Sequence, residues 1–330
     1  MMNVLVTGAT GGLGRNLCAH LLSHGFTVRA TGRNKIAGES LAGKNCTFIS
    51  ADLFDASSLP ALVKDCDAVI HCAALSSPWG SLADFKSANV TVTQNLVEAC
   101  IRNKVRRFVH VSTSSVYFNF KDRLGIKETD IVASPFANHY ASTKYEAELE
   151  VQKAALRGLE TVIIRPRGIF GPHDSVVLPK IIHAGSKKIL PIPRRGVALV
   201  DMTYVENVAH ALRLALETSA MNTRKIYNIT NGDPWHVHRL VDTLFLKLGI
   251  SPRILHVPYT LLNSCAKMLE HSGKKHNTEP MLTCYTAALL ANSQTLDINA
   301  ARIGLGYTPQ ISMDEGLTRF SSWWKEHTCN

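Results

Sequence analysis

The stretch Val4-Leu5-Val6-Thr7-Gly8-Ala9-Thr10-Gly11-Gly12-Leu13-Gly14 joins a short apolar run to the start of a helix-like segment. Glycine permits a tight turn and lets the backbone approach a pyrophosphate, and the helix that follows presents free N–H groups and a positive dipole end. Three glycines in this context are typical of a dinucleotide-binding strand–turn–helix. The residues that we expect to contact such a cofactor are Gly8, Thr10, Gly11, Gly12, Leu13 and Gly14.

Outward from this turn, the first half of the chain alternates apolar runs with helix-like stretches. The predicted strands are 4–7, 28–31, 48–50, 68–71, 108–112 and 161–165, and the predicted helices are 13–23, 59–64, 84–102 and 140–157. Such alternation with near-continuously apolar strands predicts a parallel sheet covered by helices on both faces.

The alternation breaks down after Pro166, where prolines become frequent. We therefore predict an α/β fold, a Rossmann-type doubly wound parallel sheet with a smaller C-terminal substrate lobe. Residues 1–170 would form the cofactor-binding domain and residues 171–330 mainly the lobe. Some later elements, such as Ile226–Ile229, would return to the main sheet.

The residues after the second predicted strand bear on the choice between NAD(H) and NADP(H). NAD-binding versions usually place an acid about 20 residues after the glycine turn, to hold the ribose 2′-hydroxyl. No Asp or Glu lies between positions 14 and 39, whereas Arg33 follows the strand directly. Arg33 offers a forked, charge-assisted contact to a 2′-phosphate, with Arg29 and Lys35 as assisting cations. We favour NADP(H) over NAD(H), because the missing acid and the present arginine agree; the alternative is an exposed loop arginine without a ligand.

Tyr140 and Lys144 are four residues apart at the start of a predicted helix and so share one helix face. A tyrosine has a reference pKa of about 10, and a nearby ammonium or a positively charged nicotinamide ring favours its phenolate. Tyr140 is then suited to exchange a proton with a substrate oxygen. Several hydroxyls end the fifth predicted strand, where ligands of open α/β sheets bind. Turn chemistry is the favoured explanation for three of them, Ser112, Ser114 and Ser115.

Further short motifs follow in order along the chain: Asp52-Leu53, His71-Cys72-Ala73-Ala74, Asn89, Arg165-Pro166-Arg167-Gly168-Ile169-Phe170-Gly171-Pro172, and Tyr204-Val205-Glu206-Asn207-Val208. Together with the glycine turn and the Tyr/Lys pair, they resemble the extended short-chain dehydrogenases/reductases over nearly the whole chain. The likeness is greatest to the 3β-hydroxysteroid dehydrogenase-type branch, and particularly to bacterial 2-alkyl-3-oxoalkanoate reductases. The resemblance implies a catalytic set of Thr113, Tyr140 and Lys144. It also implies cofactor contacts from Asp52, Leu53, Cys72, Ala73, Ala74, Asn89, Tyr140, Lys144, Pro166, Gly168 and Ile169.

The resemblance implies interconversion of a ketone and a secondary alcohol on an apolar substrate, a 3-oxo acid or a steroid-like molecule, with a carboxylate as one option. Val92, Phe118 and Thr143 depart from the family pattern, and Phe118 borders the expected pocket. A nucleotide-sugar epimerase or dehydratase would use the same three residues. Arg33 and the apolar C-terminal half argue against it. The remaining alternative is a binding module that holds NADP(H) without turnover.

Composition restricts the partners. The formal net charge is +10 with scattered basic residues, which suits anionic ligands but includes no nucleic-acid-binding stretch. The eight cysteines form no C-x-x-C pair, so reduced thiols and no metal site are expected. We expect a cytoplasmic protein without a signal peptide, with a homodimer as one option. For Pro258–Lys275, we favour an ordinary packed helix over a lid that touches a membrane surface.

Overall fold

The computed structural model describes residues 1–186, 189–219, 226–276 and 278–328. Its strands are β1 (Asn3–Thr7), β2 (Thr27–Gly32), β3 (Cys46–Ser50), β4 (Ala68–His71), β5 (Arg107–Val111), β6 (Arg123–Ile126), β7 (Glu160–Pro166), β8 (Ile169–Phe170), β9 (Ile189–Pro193), β10 (Leu199–Val200), β11 (Thr203–Tyr204), β12 (Ile226–Ile229), β13 (Trp235–His236), β14 (Arg253–Val257) and β15 (Gln294–Leu296). Its α-helices are α1 (Gly12–Ser23), α2 (Lys35–Glu39), α3 (Leu59–Val63), α4 (Leu82–Phe85), α5 (Val92–Arg102), α6 (His139–Ala155), α7 (Leu178–Ser186), α8 (Val205–Glu217), α9 (Val237–Leu248), α10 (Tyr259–His276), α11 (Cys284–Ala291), α12 (Asn299–Leu305) and α13 (Met313–Thr328).

The main sheet has seven strands in the order β12-β7-β5-β4-β1-β2-β3, and every pair in it is parallel. Side chains alternate between its faces, as strand geometry requires. Val4 and Val6 pack with α1 and α8 on one face, whereas Leu5 packs with α3 and α5 on the other. The predicted doubly wound parallel sheet is confirmed.

The long helix predicted over 84–102 is interrupted. A π-helix, Lys86–Thr91, joins α4 to α5 and contains the buried Asn89, whose side chain forms hydrogen bonds with Leu75 and Thr143. Single π-helical turns recur at functional sites because the extra residue re-aims a side chain. Apolar spacing alone does not reveal such a turn, since the flanking α-helical periodicity continues on both sides.

The remaining strands form a second layer of small sheets. The largest has the order β13-β10-β15-β6, and β8 pairs with β11 as β9 pairs with β14. The chain passes between the two regions in both directions, because β6 joins the small sheet while α8 and β12 join the main layer. Arg107 anchors α8 there: its buried Nη1 donates to the carbonyls of Ala215, Leu216 and Thr218 (3.1, 2.7 and 2.6 Å).

Helix α10 differs from the packed helix that we favoured from its apolar spacing. Only Leu262, Ala266 and Gly273 are buried in it. The first two pack beside Ala287 of α11, while Leu261 and Met268 are exposed. Its apolar residues are distributed around the helix, so several of them stay exposed while Leu262 and Ala266 are buried. No helix in the described ranges combines the length and apolarity needed to cross a bilayer.

Candidate active site

The glycine turn after β1 is built so closely that side chains are excluded. Gly8 has a φ of +64°, and a Cβ there would lie 2.8 Å from the backbone nitrogen and Cα of Ala73. A Cβ on Gly14 would lie 2.2 Å from the Gly8 carbonyl oxygen. The turn therefore requires glycine for two reasons, a left-handed backbone at Gly8 and close packing at Gly14.

The first turn of α1 is open to an anion. Gly11 is the N-cap residue, no side chain caps the helix, and no acid lies in the first turn. Thr10, Gly12 and Leu13 are partly exposed beside it. Free N–H groups and a positive helix end fit a pyrophosphate. This cradle suits the dinucleotide that the sequence predicts.

Arg33 lies just beyond the end of β2 and is exposed, as is Lys35. Arg29 does not join them, and its predicted assisting role is wrong. Its Nη1 donates to the carbonyls of Leu62 (2.9 Å) and Lys64 (2.6 Å) at the end of α3. Helix α3 leaves these C-terminal carbonyls unsatisfied, so the arginine is held on that side of the sheet.

Asp52 and Leu53 lie in the loop that follows β3. The Asp52 carboxylate is exposed and accepts a hydrogen bond from the Phe54 amide (3.1 Å). Both residues are next to the end of β2, because the Ala51 amide donates to the Gly32 carbonyl (3.3 Å). They therefore border the same edge of the sheet as Arg33, where the adenine side of a dinucleotide is expected.

Tyr140 and Thr113 meet at the carboxyl end of β5. Asn138 caps α6 by accepting from the Ala141 amide (2.9 Å), which positions Tyr140 in the first turn. Burial raises the pKa of Tyr140, and hydrogen bonds with Ser76 and Thr113 partly oppose the rise. The phenol is therefore held in its protonated form near neutral pH.

Lys144 is buried one turn further along α6 and binds β5. Its Nζ donates to the Val111 carbonyl (2.7 Å) and lies 3.2 Å from His110 Nε2. Burial lowers the pKa of Lys144 to about 8, and Glu148 opposes this. The structure differs here from the sequence prediction that Lys144 depresses the pKa of Tyr140: the lysine finds its acceptors on the strand, and burial dominates the tyrosine.

A buried ion pair that the sequence analysis did not single out lies beneath Lys144. Arg165 donates from Nε and Nη2 to the two Glu148 oxygens (2.8 and 2.5 Å), and Ser112 donates to Glu148 Oε1 (2.5 Å). Arg165 Nη1 also donates to the Tyr117 hydroxyl (2.5 Å). The pair ties α6 to the ends of β5 and β7. The sequence signal for this pair was the position of Glu148, four residues after Lys144 and therefore on the same face of α6.

Asn89 acts within the protein. Its Oδ1 accepts from the Leu75 amide (2.8 Å), and its Nδ2 donates to the Leu75 carbonyl (3.3 Å) and to Thr143 Oγ1 (3.2 Å). Both ends of the amide are thereby used to hold the loop after β4 against α6. Asn89 therefore positions the loop that is predicted to contact the cofactor.

The other predicted cofactor residues lie at the ends of β4 and β7. Cys72, Ala73 and Ala74 follow β4, and the Ala73 amide donates to Thr7 Oγ1 (3.3 Å) beside the glycine turn. Burial raises the pKa of Cys72 to about 12, so it is a thiol. Pro166 ends β7, and Gly168 and Ile169 lie just beyond it, where β8 begins. Because β4 and β7 are parallel strands of the main sheet, these loops lie together at its carboxyl-terminal edge.

The substrate side is completed by residues that the sequence analysis did not assign to the site. Thr113 donates to Ser115 Oγ (3.0 Å), which is hydrogen-bonded to the Tyr285 hydroxyl (2.8 Å). The Tyr285 ring packs edge-on against Phe118, with centroids 5.4 Å apart. Tyr285 belongs to α11, far away in the chain, so no local pattern connects it with Thr113. Ser115 has a role beyond the turn chemistry that we favoured.

The fold and this arrangement define a dehydrogenase-type dinucleotide enzyme, and comparison with known proteins agrees. The model of the NAD dependent epimerase/dehydratase family matches residues 4–230, and the chain belongs to this family. The predicted extended short-chain dehydrogenase/reductase membership is confirmed. The chain is an NAD(P)-dependent enzyme acting on CH–OH groups.

Three relatives extend over nearly the whole chain. The uncharacterized protein YbjS of Escherichia coli is 39% identical, covering 99% of this chain and 98% of the relative. A 2-alkyl-3-oxoalkanoate reductase of Shewanella oneidensis is 31% identical over 97% of this chain and 86% of the relative. A 3beta-hydroxysteroid-dehydrogenase/decarboxylase of Arabidopsis thaliana is 32% identical over 96% of this chain and 60% of the relative. A solved UDP-glucuronic acid 4-epimerase of Bacillus cereus, in complex with NAD, has the same fold (TM-score 0.79, 24% identity, 98% and 99%).

Proposed function

We propose that the protein is an NADP(H)-dependent reductase that converts the ketone of an apolar substrate, a 3-oxo acid or a steroid-like molecule, into a secondary alcohol. The observation that carries the proposal is the hydrogen bond between Tyr140 and Thr113 at the end of β5, beside a glycine cradle for a dinucleotide. The names of the reductase and hydroxysteroid dehydrogenase relatives support the substrate class. A protonated tyrosine is suited to the reduction direction because it already carries the proton that the product oxygen needs.

Each residue has a distinct task in this mechanism. The nicotinamide cofactor supplies hydride when bound. Thr113 would turn its hydroxyl from Ser115 Oγ to the substrate carbonyl and so orient it, and Tyr140 gives its proton to the carbonyl oxygen as negative charge develops there. Lys144 would hold the nicotinamide ribose, exchanging its contact with the Val111 carbonyl for ribose hydroxyls. The glycine turn and the loops after β4 and β7 hold the dinucleotide along the sheet edge.

Replacing the phenol tests this assignment. We expect Tyr140→Phe to lower kcat for ketone reduction by about 100-fold or more, because general acid catalysis contributes about that much, while NADPH binding stays close to wild type. Tyr145→Phe is the matched control, since it removes a phenol five positions further along the same helix. Equal turnover by Tyr140→Phe and wild type would refute the mechanism.

The cofactor preference is tested separately at Arg33. Charge reversal in Arg33→Asp should weaken NADPH binding by at least about tenfold, which corresponds to about 1.4 kcal/mol, and should leave NADH binding equal or tighter. Lys44→Gln, which removes a charge from an exposed lysine with no assigned cofactor contact, serves as the control for a general loss of positive charge. An unchanged ratio of the two dissociation constants would exclude the role given to Arg33.

A further inference from the structure

Arg167 is a buried cation outside the dinucleotide cradle and the catalytic set. It follows β7 directly and is 8% exposed. Its Nη1 donates to Gln294 Oε1 (2.5 Å), whereas its Nε is buried without a hydrogen-bond partner. A buried guanidinium with an unused N–H is costly unless a ligand completes its hydrogen bonds.

The surroundings of Arg167 are equally incomplete. Among the described residues, Gln294 Nε2 is buried and has no hydrogen-bond partner. Asp201 accepts from the Leu296 amide (3.0 Å). Burial lowers the pKa of Arg167 and the charge of Asp201 opposes this, although no ion-pair contact joins the two among the described residues. The site therefore holds a buried guanidinium with an unused N–H and a neighbouring amide with unused hydrogens, which a polar ligand group would complete.

This cluster lies on the substrate side of the reacting tyrosine. The hydroxyls of Thr113, Ser115 and Tyr285 form a hydrogen-bonded chain that starts beside Tyr140. Burial raises the pKa of Tyr285, the Arg167 guanidinium lowers it, and Tyr140 raises it further. Tyr285 is thus within electrostatic reach of both residues and connects the reacting end of the pocket with the arginine.

We propose that Arg167 binds a carboxylate of the substrate and makes the enzyme selective for oxo acids over neutral ketones of the same shape. A guanidinium presents its Nε and a terminal nitrogen as a fork that matches two carboxylate oxygens. The substrate carboxylate would accept the hydrogen bond that the unused Nε can donate. A neutral ketone without a carboxylate would leave the Nε without an acceptor, which disfavours its binding. This inference rests on the proposed ketone reduction, whose substrate it specifies.

A binding experiment that needs no turnover tests the carboxylate site. Octanoate and 1-octanol serve as probes for the intact protein with NADPH present, by calorimetry. We expect octanoate to bind wild type about 10- to 100-fold more tightly than Arg167→Met, and 1-octanol to bind both alike, because a charged hydrogen bond is lost only for the acid. Arg195→Met is the control, because it removes an exposed arginine of the same lobe. Arg167→Lys, which keeps the charge but not the fork, should give an intermediate affinity.

Activity measurements separate this inference from the proposed function. With oxo acids and their methyl esters as substrates, wild type should prefer the acid and Arg167→Met should lose that preference through KM. Equal octanoate affinity in wild type and Arg167→Met, or no octanoate binding by wild type, overturns the role of Arg167 even if ketones are reduced. Absence of ketone reduction, with the octanoate difference intact, overturns the proposed reaction and leaves the carboxylate site standing.

Discussion

Arg165 and Arg167 are two residues apart at the end of β7, and both are almost fully buried, yet their environments are opposite. Arg165 has a bidentate partner in Glu148 and a further acceptor in Tyr117. Arg167 has one neutral acceptor, Gln294, and an unused Nε. Successive odd positions of an extended strand point to the same side, so register does not explain the difference.

The difference separates a structural charge from one that is available for binding. Arg165 contacts a carboxylate, has acceptors for its N–H groups within the protein, and holds α6 to β7. Arg167 contacts no carboxylate among the described residues and has an unused Nε, so less of its desolvation cost is compensated. The two arginines can therefore be told apart by what their loss does to stability, and the lysine nearby provides a third case.

The largest effect is expected when Arg165 is removed. Arg165→Met should reduce the free energy of unfolding by about 3–5 kcal/mol, because Glu148 is left charged and buried without its partner. Urea denaturation measures this. The double variant Arg165→Met/Glu148→Leu should recover most of the loss, since it removes both charges. A loss below about 1 kcal/mol in the single variant would contradict the structural role of the pair.

Lys144 should give a smaller effect that depends on pH. Its pKa is about 8 in the folded protein against an ordinary 10.5, so between these values the unfolded chain binds a proton that the folded one does not. The free energy of unfolding then rises with pH across this window, by up to about 1.4 kcal/mol per pH unit. Below about pH 8 the full cost of burying the charged lysine is present.

The variant Lys144→Met lacks this titration and provides the reference. Urea denaturation of both proteins between about pH 7.5 and about pH 9.5 should show wild type gaining about 1–2 kcal/mol relative to the variant. A difference that stays constant across this range would mean that Lys144 keeps its ordinary pKa in the folded state.

The smallest effect is expected at Arg167. Arg167→Met should change the free energy of unfolding by no more than about 1 kcal/mol in either direction, since the lost hydrogen bond to Gln294 is offset by removal of a buried charge. The same urea denaturation measures it. A loss as large as that in Arg165→Met would show that Arg167 also stabilises the fold, and would contradict the distinction between the two arginines.

The main sheet could be predicted from the sequence because its strands are apolar on both faces and its helices are long enough to show a period. The predicted strand 68–71 and the observed β4 (Ala68–His71) coincide. The second layer could not be predicted in this way. Strands such as β8 (Ile169–Phe170) and β11 (Thr203–Tyr204) are two residues long, and their pairing depends on tertiary contacts.

The residues of the candidate site also fall into two groups, those that a local motif predicts and those that only tertiary contacts reveal. Gly8, Tyr140 and Lys144 belong to local motifs whose spacing carries the chemistry, and the structure places them along one sheet edge. Tyr285 belongs to no local motif, and Arg167 lies in a motif whose sequence does not indicate its partners, so only the folded chain relates the two. The raised pKa of Tyr140 was also beyond the sequence, because burial of a side chain is a property of the assembled pocket.

The passage of the chain back into the main sheet bears on how the protein is made. The amino-terminal half leaves the ribosome first, at a stage when β7 has no neighbour on its outer edge. Arg107 then lacks the three α8 carbonyls that it binds in the finished molecule. An open strand edge invites pairing with other chains, and Ile226–Ile229 closes it. The nascent protein therefore stays vulnerable to misassembly until synthesis has proceeded well beyond the dinucleotide-binding segment.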